Sequence, residues 1–543
     1  RKYVSSWTII FRASGLALVL GSTALAQGPI EVQSLDALDP LEVGLPGAAL
    51  GISLWDGSDA DMASRVLMLL PEASRDGYAS PALADLARSV LSSGGYPPAG
   101  GRGNPALPVL RADRLLAAGG VFEAYDLLER TPNLNQNEAL SRLHAELAFA
   151  TGNTRSACHS ADALLRGREQ AYWLRARAVC LALDGQESAA ELTAELARNS
   201  SDDVGYDTML YALTLDGNPP PALPPVDSGL KLSMAFQLDG ETDLDTLEVG
   251  TAPGWLQRFV HGRAMPAPVP ASDPAQALAA ALALSGPGRT AGLETVLVQG
   301  VDRSIAAGAL SGLLDDAVAS DGFAVAARRY GREVHTLPVT RETLADGYRF
   351  ALAALLSGDL RTASQWRDAL MDGPPQPQPV MAFDETGKPI DPLDDAMLVE
   401  VPPAWVPPSP RRMVNLDLAI AIARDRLSGD QTSALLGAHF EAYGPSALAD
   451  MLAFNRLGAG EVAGLRPALL LAAPATVGPE VLAMEAAARS GAGAEAALLA
   501  IAVLAGAPLN AETLSRSIVV LDQLGLRRAA LDVLLERLVA RAV

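Results

Sequence analysis

Three glycines at a fixed interval constrain the fold of this chain more than any other feature. Gly119, Gly152 and Gly185 are separated by 33 residues twice in succession, and each follows a run with the apolar periodicity of a helix. An alanine stands five positions after each of them, at Ala124, Ala157 and Ala190. A glycine that ends one helix and a small residue early in the next, repeated at this interval, predict helical hairpins in tandem.

Helical hairpins of this size need neighbours. A pair of antiparallel helices has two apolar stripes, and it buries both only when another pair stacks against it. The composition suits such packing, because 49% of the residues are hydrophobic while only 5% are aromatic, so alanine and leucine fill the core. The sequence therefore predicts an all-α fold, a right-handed superhelix of stacked helical hairpins (an α-solenoid).

This pattern resembles the tetratricopeptide repeat, in which a glycine of the first helix is followed five residues later by an alanine of the second. The family has an aromatic residue two positions after the glycine, where this chain has Val121, Thr154 and Glu187. The resemblance implies a scaffold whose concave face binds other proteins or peptides.

The same Gly-to-Ala spacing recurs five times nearer the C-terminus. An alanine-rich chain produces such pairs by chance, so the spacing alone does not locate a hairpin. The five pairs are Gly286/Ala291, Gly358/Ala363, Gly429/Ala434, Gly491/Ala496 and Gly525/Ala530.

Residues 1–26 are typical of a secretory signal peptide. They have a basic start, a short apolar run and an Ala-x-Ala motif ending at Ala26, after which cleavage leaves Gln27 as the first residue. The alternative is an uncleaved anchor. Because Arg12 interrupts the apolar run, it falls short of the roughly 20 residues that span a bilayer. We therefore expect a periplasmic protein without an integral membrane span after signal removal.

The charge argues against nucleic acid as a partner. The formal net charge of −21 becomes −24 without the leader, which carries three basic and no acidic residues. Such an acidic surface repels phosphate backbones, and no basic patch with interleaved aromatic residues is present.

The two cysteines, Cys158 and Cys180, fall on neighbouring helices of successive predicted hairpins. In an oxidising compartment a disulfide between them is expected, and closing this loop would stabilise the fold by roughly 3 kcal/mol. The alternatives are two separate buried thiols, or a metal site with His159, for which the usual ligand spacing is absent.

Three stretches outside the repeats carry further predictions. Residues 230–238 alternate like a strand but also fit a helix, which we favour. Residues 308–311 predict the turn of a helical hairpin, with Ser311 as its N-cap. Residues 373–410 form a proline-rich, acidic insert, in which a small β-hairpin with its turn near Gly387 is predicted.

The insert is the best candidate in the sequence for a partner-binding element. Phe383 lies in its predicted hairpin, and Trp405 stands among prolines, where an exposed aromatic ring can dock into a groove. The alternative is a strap that folds back over the helices.

The chain divides into six parts by these criteria. They are a signal peptide (1–26), an extended segment (27–60), tetratricopeptide-like helical repeats (61–215), a proline-rich connector with further helical hairpins (216–372), the proline-rich acidic insert (373–410) and C-terminal helical repeats (411–543).

No sequence motif for catalysis, cofactor or metal binding emerges. The five histidines are scattered, and no nucleophile elbow or phosphate-binding loop occurs. The sequence thus predicts a non-enzymatic periplasmic scaffold, without cofactor, whose partners are envelope proteins or peptides.

The alternative is a protein that binds peptidoglycan or processes the cell wall. The helical texture resembles the long superhelix of soluble lytic transglycosylases. Their catalytic domain has a Glu-Ser pair followed by a Gly-Leu-Met-Gln type segment, a combination that is absent here.

Overall fold

The computed structural model describes residues 38–543 apart from 76, 217–219, 221, 239–246, 264–272, 300–301, 374–404, 463, 473–475 and 507–508. Within these residues the regular secondary structure is helical, which confirms the all-α class. The signal peptide with Ala26 and Gln27, Phe383 and the β-hairpin predicted near Gly387 lie outside the described residues.

The N-terminal region contains eleven α-helices among its described residues. They are α1 Ala60–Met68, α2 Pro81–Leu91, α3 Ala106–Ala117, α4 Val121–Glu129, α5 Glu138–Ala150, α6 Thr154–Ala163, α7 Ala171–Leu183, α8 Glu187–Arg198, α9 Val204–Tyr211, α10 Gly229–Leu238 and α11 Gly254–Arg263.

Two further groups of helices precede and follow the insert. Before it come α12 Pro274–Leu282, α13 Pro287–Val298, α14 Arg303–Ala319, α15 Phe323–Arg329, α16 Gly331–Thr336, α17 Arg341–Leu344, α18 Gly347–Leu356 and α19 Leu360–Asp372. After it come α20 Pro410–Ala423, α21 Asp430–Tyr443, α22 Leu448–Arg456, α23 Leu465–Leu471, α24 Pro479–Ser490, α25 Gly493–Ala505, α26 Ala511–Gln523 and α27 Arg527–Ala542.

The three regularly spaced glycines each end a helix. Gly119, Gly152 and Gly185 have φ values of 80°, 81° and 73°, a left-handed conformation that favours glycine. The N–H of the following residue donates to the carbonyl five residues earlier, as from Asn153 to Ala148 at 2.7 Å. Ala124, Ala157 and Ala190 are fully buried in the next helices. The interval therefore marks the turns of the α3/α4, α5/α6 and α7/α8 hairpins.

The later Gly-to-Ala pairs divide into two groups. At Gly358, Gly491 and Gly525 the same turn recurs, and the alanines Ala363, Ala496 and Ala530 are fully buried. In contrast, Ala291 and Ala434 are exposed.

One hairpin uses aspartate in place of glycine. Asp321 has φ 55°, and the N–H of Gly322 donates to Ala317 O at 2.8 Å, so this residue makes the turn between α14 and α15. The turn predicted at residues 308–311 is wrong, because α14 continues through it. A Cβ at Gly308 would lie 2.9 Å from Leu278 Cδ2, so this glycine permits the close packing of α14 on α12.

Helix α10 confirms the helical alternative for residues 230–238. Leu230, Leu232, Met234 and Ala235 are all buried, so the helix is covered on most of its circumference. A helix buried in this way has no single polar face, which explains why its sequence does not show a clear helical period.

The two ends of the described chain are packed together. Helices α1 and α2 contact α25, and α2 also contacts α27. In an open superhelix each repeat contacts only its neighbours, whereas here helices from the two ends of the chain are in contact. The predicted superhelix therefore stays a prediction. Three hydrogen bonds join the ends: Ala494 N–H to Leu54 O at 2.7 Å, Ser58 Oγ to Glu495 Oε2 at 2.9 Å, and Ala82 N–H to Glu536 Oε2 at 2.9 Å.

A buried polar cluster joins α20 to α21. The Nδ1 of His439 lies 2.9 Å from Asn415 Oδ1, and the Asn415 amide donates to the hydroxyl of Tyr443. The Nε2 of His439 has no hydrogen-bond partner among the described residues. Burial lowers the pKa of His439 to about 4, with the nearby Asp450 acting in the opposite direction. The imidazole is therefore neutral in the folded protein at pH 7.

This histidine should make stability depend on pH. In the unfolded chain His439 has a pKa of about 6.5. Between pH 6.5 and 4 the unfolded state therefore binds a proton that the folded state does not bind, and this stabilises the unfolded state relative to the folded one. We expect the free energy of unfolding to fall by about 2 kcal/mol from pH 7 to pH 4.5 through this group. Urea unfolding at both pH values would measure it. The His439→Gln variant keeps an N–H donor and should lose this part of the pH dependence; an unchanged dependence would contradict the assignment.

Candidate functional site

The candidate site is a groove between α8 and α9, and α8 forms its first wall. This helix turns its alanines inward, so that Ala190, Ala194 and Ala197 pack in the interior. Leu192 and Leu196 lie on the opposite face and are 63% and 51% exposed. Leucine usually lies on the buried face of such a helix, but on α8 both leucines share the exposed side with the polar residues.

Helix α9 forms the second wall. Its N-cap is Asp203, whose carboxylate accepts a hydrogen bond from the N–H of Tyr206 at 3.0 Å and forms an ion pair with Lys231 Nζ at 2.9 Å. Burial opposes ionisation of Asp203, but these two partners outweigh it and lower the pKa of the carboxyl. The start of α9 is thus held by a charged cap, and Val204 and Tyr211 remain exposed.

The groove between these walls has a volume of about 550 Å³. Apolar side chains, hydroxyls and charged groups line it together. The lining residues are Ser188, Glu191, Leu192, Ala194, Glu195, Arg198, Asp207, Leu210, Tyr211 and Thr214.

The charge of the groove is negative. Glu187, Glu191 and Glu195 follow one another at intervals of four residues, so they lie in a row along α8. None of the three has an ion-pair partner among the residues that the structure describes, whereas Arg198 is neutralised by Asp207 at 3.1 Å. The groove can therefore accept an apolar side chain that is flanked by positive charges.

The cysteines predicted to pair do form a disulfide. Cys158 lies on α6 and Cys180 on α7, with their Cα atoms 5.7 Å apart. The bond links two successive hairpins, and α7 in turn packs against α8. It thus braces the hairpin that carries the first wall of the groove.

Trp405 packs against the end of α19. Its indole N–H donates to Leu370 O at 3.1 Å, and a Cβ at Gly373 would lie 3.2 Å from the indole Cδ1. The ring is half-buried in this position.

Sequence reasoning missed the groove because leucines on a helix are normally counted as core. A signal was nevertheless present in α8, where alanines at intervals of four and three residues mark one face and leucines mark the other. The glutamate row is also visible in the sequence. What the sequence lacked was the position of Tyr211, which lines the groove because α9 lies across it from α8.

Comparisons with known proteins give no relative. No protein-family model matches the chain, and neither a curated protein nor a solved structure matches it significantly. Within the described ranges no helix has the length and apolar character to cross a bilayer. In the same ranges no cluster of three or more His, Cys, Asp or Glu side chains could hold a metal ion.

Proposed function

We propose that this protein is a helical-repeat scaffold of the bacterial cell envelope. It binds a basic, amphipathic segment of a partner protein in the groove between α8 and α9. The observation that carries the proposal is the row of glutamates on α8, which have no ion-pair partner among the described residues, beside exposed apolar side chains. An amphipathic helix with lysine or arginine beside a leucine or phenylalanine anchor complements both features.

The disulfide supports a location outside the cytoplasm. Such bonds persist in the periplasm and in secreted proteins, and they are rare where thiols are kept reduced. Together with the expected signal peptide, this favours a scaffold that works in the envelope.

The binding prediction concerns both features of the groove. A 20-residue amphipathic peptide of leucine and lysine, labelled at one end, would be titrated with the full chain by fluorescence anisotropy. We expect the double variant Glu191→Gln/Glu195→Gln to weaken binding at least 10-fold, because two carboxylates near the bound charges are lost. Tyr211→Ala should also weaken it, through lost apolar contact. Higher salt should reduce the difference between the wild type and the double variant.

The matched control removes two carboxylates elsewhere. Glu441→Gln/Glu461→Gln changes the net charge by the same amount on exposed positions outside the groove. It should alter the dissociation constant less than 2-fold. Equal weakening in both double variants would mean that the peptide responds only to the overall charge, and this would overturn the groove as the binding site. Binding of peptidoglycan fragments in place of the peptide would favour the cell-wall alternative.

A further inference from the structure

Away from the groove, successive helices bring a serine, a histidine and a glutamate into one hydrogen-bonded chain. Ser160 is on α6, His144 on α5 and Glu129 at the end of α4. The Oγ of Ser160 lies 2.8 Å from His144 Nδ1, and His144 Nε2 lies 2.7 Å from Glu129 Oε2. These distances are within the range in which a base accepts the proton of a nucleophile and a carboxylate orients the base.

The protonation states follow from the surroundings. Burial lowers the pKa of His144, so the ring is neutral at pH 7. Burial also opposes ionisation of Glu129, but hydrogen bonds from Ser156 and His144 outweigh this and lower the pKa of its carboxyl. A carboxylate at Nε2 then requires the ring proton on that nitrogen. Nδ1 is left with a lone pair that accepts the hydroxyl proton of Ser160.

Two further contacts hold the histidine and the glutamate in place. The ring of Tyr125 stacks on His144 with centroids 5.4 Å apart and an interplanar angle of 13°. The hydroxyl of Ser156 donates to Glu129 Oε2 at 2.7 Å. The orientation of the imidazole is therefore fixed by a ring on its face and a carboxylate at its edge.

A cavity of about 400 Å³ opens onto these groups. Ser160, His144 and Glu129 form part of its wall, and the Asn135 amide and the His159 ring line it as well. These two side chains, and the Asn133 amide that also lines the cavity, can donate a hydrogen bond to a substrate oxygen.

We infer that this cavity is an acyl-transfer site that hydrolyses small carboxylic esters, with Ser160 as nucleophile, His144 as general base and Glu129 as a positioning residue. The hydroxyl and amide lining of the cavity suits a short, polar ester. This activity is independent of partner binding in the groove.

The reaction balances with water as the only co-reactant. Ser160 Oγ attacks the ester carbonyl while its proton passes to His144 Nδ1. The C–O bond to the alcohol then breaks, and the alcohol leaves with that proton. Water attacks the acyl-serine, gives one proton to Nδ1 and releases the acid, after which the proton returns to Ser160 Oγ.

The test uses the full, oxidised chain and a fluorophosphonate probe, which reacts with activated serines. Mass spectrometry should find the probe on Ser160, and labelling should be lost in Ser160→Ala. The Ser320→Ala variant, changed at an exposed serine that directly follows α14, should be labelled as the wild type is. Absence of probe from Ser160 in the folded wild-type chain would overturn the inference and leave the three side chains as a structural network only.

Kinetics give a second readout, with p-nitrophenyl acetate as substrate. His144→Asn should lower the rate about 100-fold, the typical contribution of a general base, while circular dichroism confirms that the variant is folded. In Glu129→Gln the acidic limb of the pH-rate profile should move to lower pH, because the carboxylate that favours the protonated imidazole is gone. A rate that is equal in the wild type and in Ser160→Ala would also overturn the proposal.

Discussion

Replacing Arg111 with methionine should destabilise the protein by about 4 kcal/mol, because several buried carbonyls then lose their donor. The Arg111 side chain is 2% exposed, and its guanidinium donates to five backbone carbonyls, which belong to Pro40, Leu41, Val43, Leu91 and Ser93. Burial lowers the pKa of Arg111 to about 10, so it still carries its charge at pH 7.

These five bonds attach the segment before α1 and the loop after α2 to helix α3. Methionine has a similar length and no donor, so it fills part of the space and leaves the carbonyls unpaired. Urea unfolding followed by circular dichroism would measure the loss. Amide exchange at Leu45, whose N–H donates to Ser92 O, should accelerate at the same time.

The matched control for this change is Arg130→Met. Arg130 follows α4, is exposed and has no ion pair or hydrogen bond from its side chain among the described residues. Its replacement should alter stability by less than about 0.5 kcal/mol, as surface substitutions usually do. Suppose that Arg111→Met lowered the free energy of unfolding as little as the control does. Water would then be hydrogen-bonding the carbonyls, and the guanidinium would not be what holds these segments against α3.

The second large effect is expected at Asp450, a carboxylate on α22 that is 1% exposed. Arg537 and Arg541 of α27 each donate from Nε to one of its oxygens at 2.8 Å. Removing one partner from a buried ion pair leaves charge without compensation, so Asp450→Asn should cost about 3 kcal/mol. The two arginines keep a quarter of their side-chain surface in solvent, which places the loss at the lower end of the usual range.

Glu461→Gln provides the comparison for Asp450→Asn. Glu461 pairs with Arg466 at 3.4 Å, but both side chains are more than 70% exposed. Exposed pairs contribute little, so this change should cost less than about 0.5 kcal/mol in the same urea experiment. Equal effects at the two positions would show that the burial of Asp450 does not decide its contribution.

Local signals in the sequence were enough to locate the α3/α4, α5/α6 and α7/α8 hairpins. Gly152 predicts a turn because its left-handed conformation is disfavoured for other residues, and Ala157 predicts close packing because a larger side chain would not fit there. The same logic failed at Gly308. A glycine inside a helix can also serve a close approach of another helix, and only the neighbouring Leu278 distinguishes the two roles.

The candidate sites were beyond the sequence for a different reason. Glu129, His144 and Ser160 are separated by 15 and 16 residues and share no motif. Their side chains meet because the helices that carry them pack side by side. The glycine spacing predicts this neighbourhood, but it does not predict how each helix is rotated about its axis. Leu192 shows the same limit, since its exposure depends on which face of α8 packs against α7.

The sequence by itself predicted the all-α class, the turns at Gly119, Gly152 and Gly185, and the pairing of Cys158 with Cys180. These features depend on interactions between residues near one another in the chain, where spacing fixes geometry. Only the tertiary structure decided that α1 and α2 pack against α25 and that α2 also packs against α27. That contact joins residues separated by most of the chain, and it depends on how each helix is rotated against its neighbours, which has no signature in any local pattern.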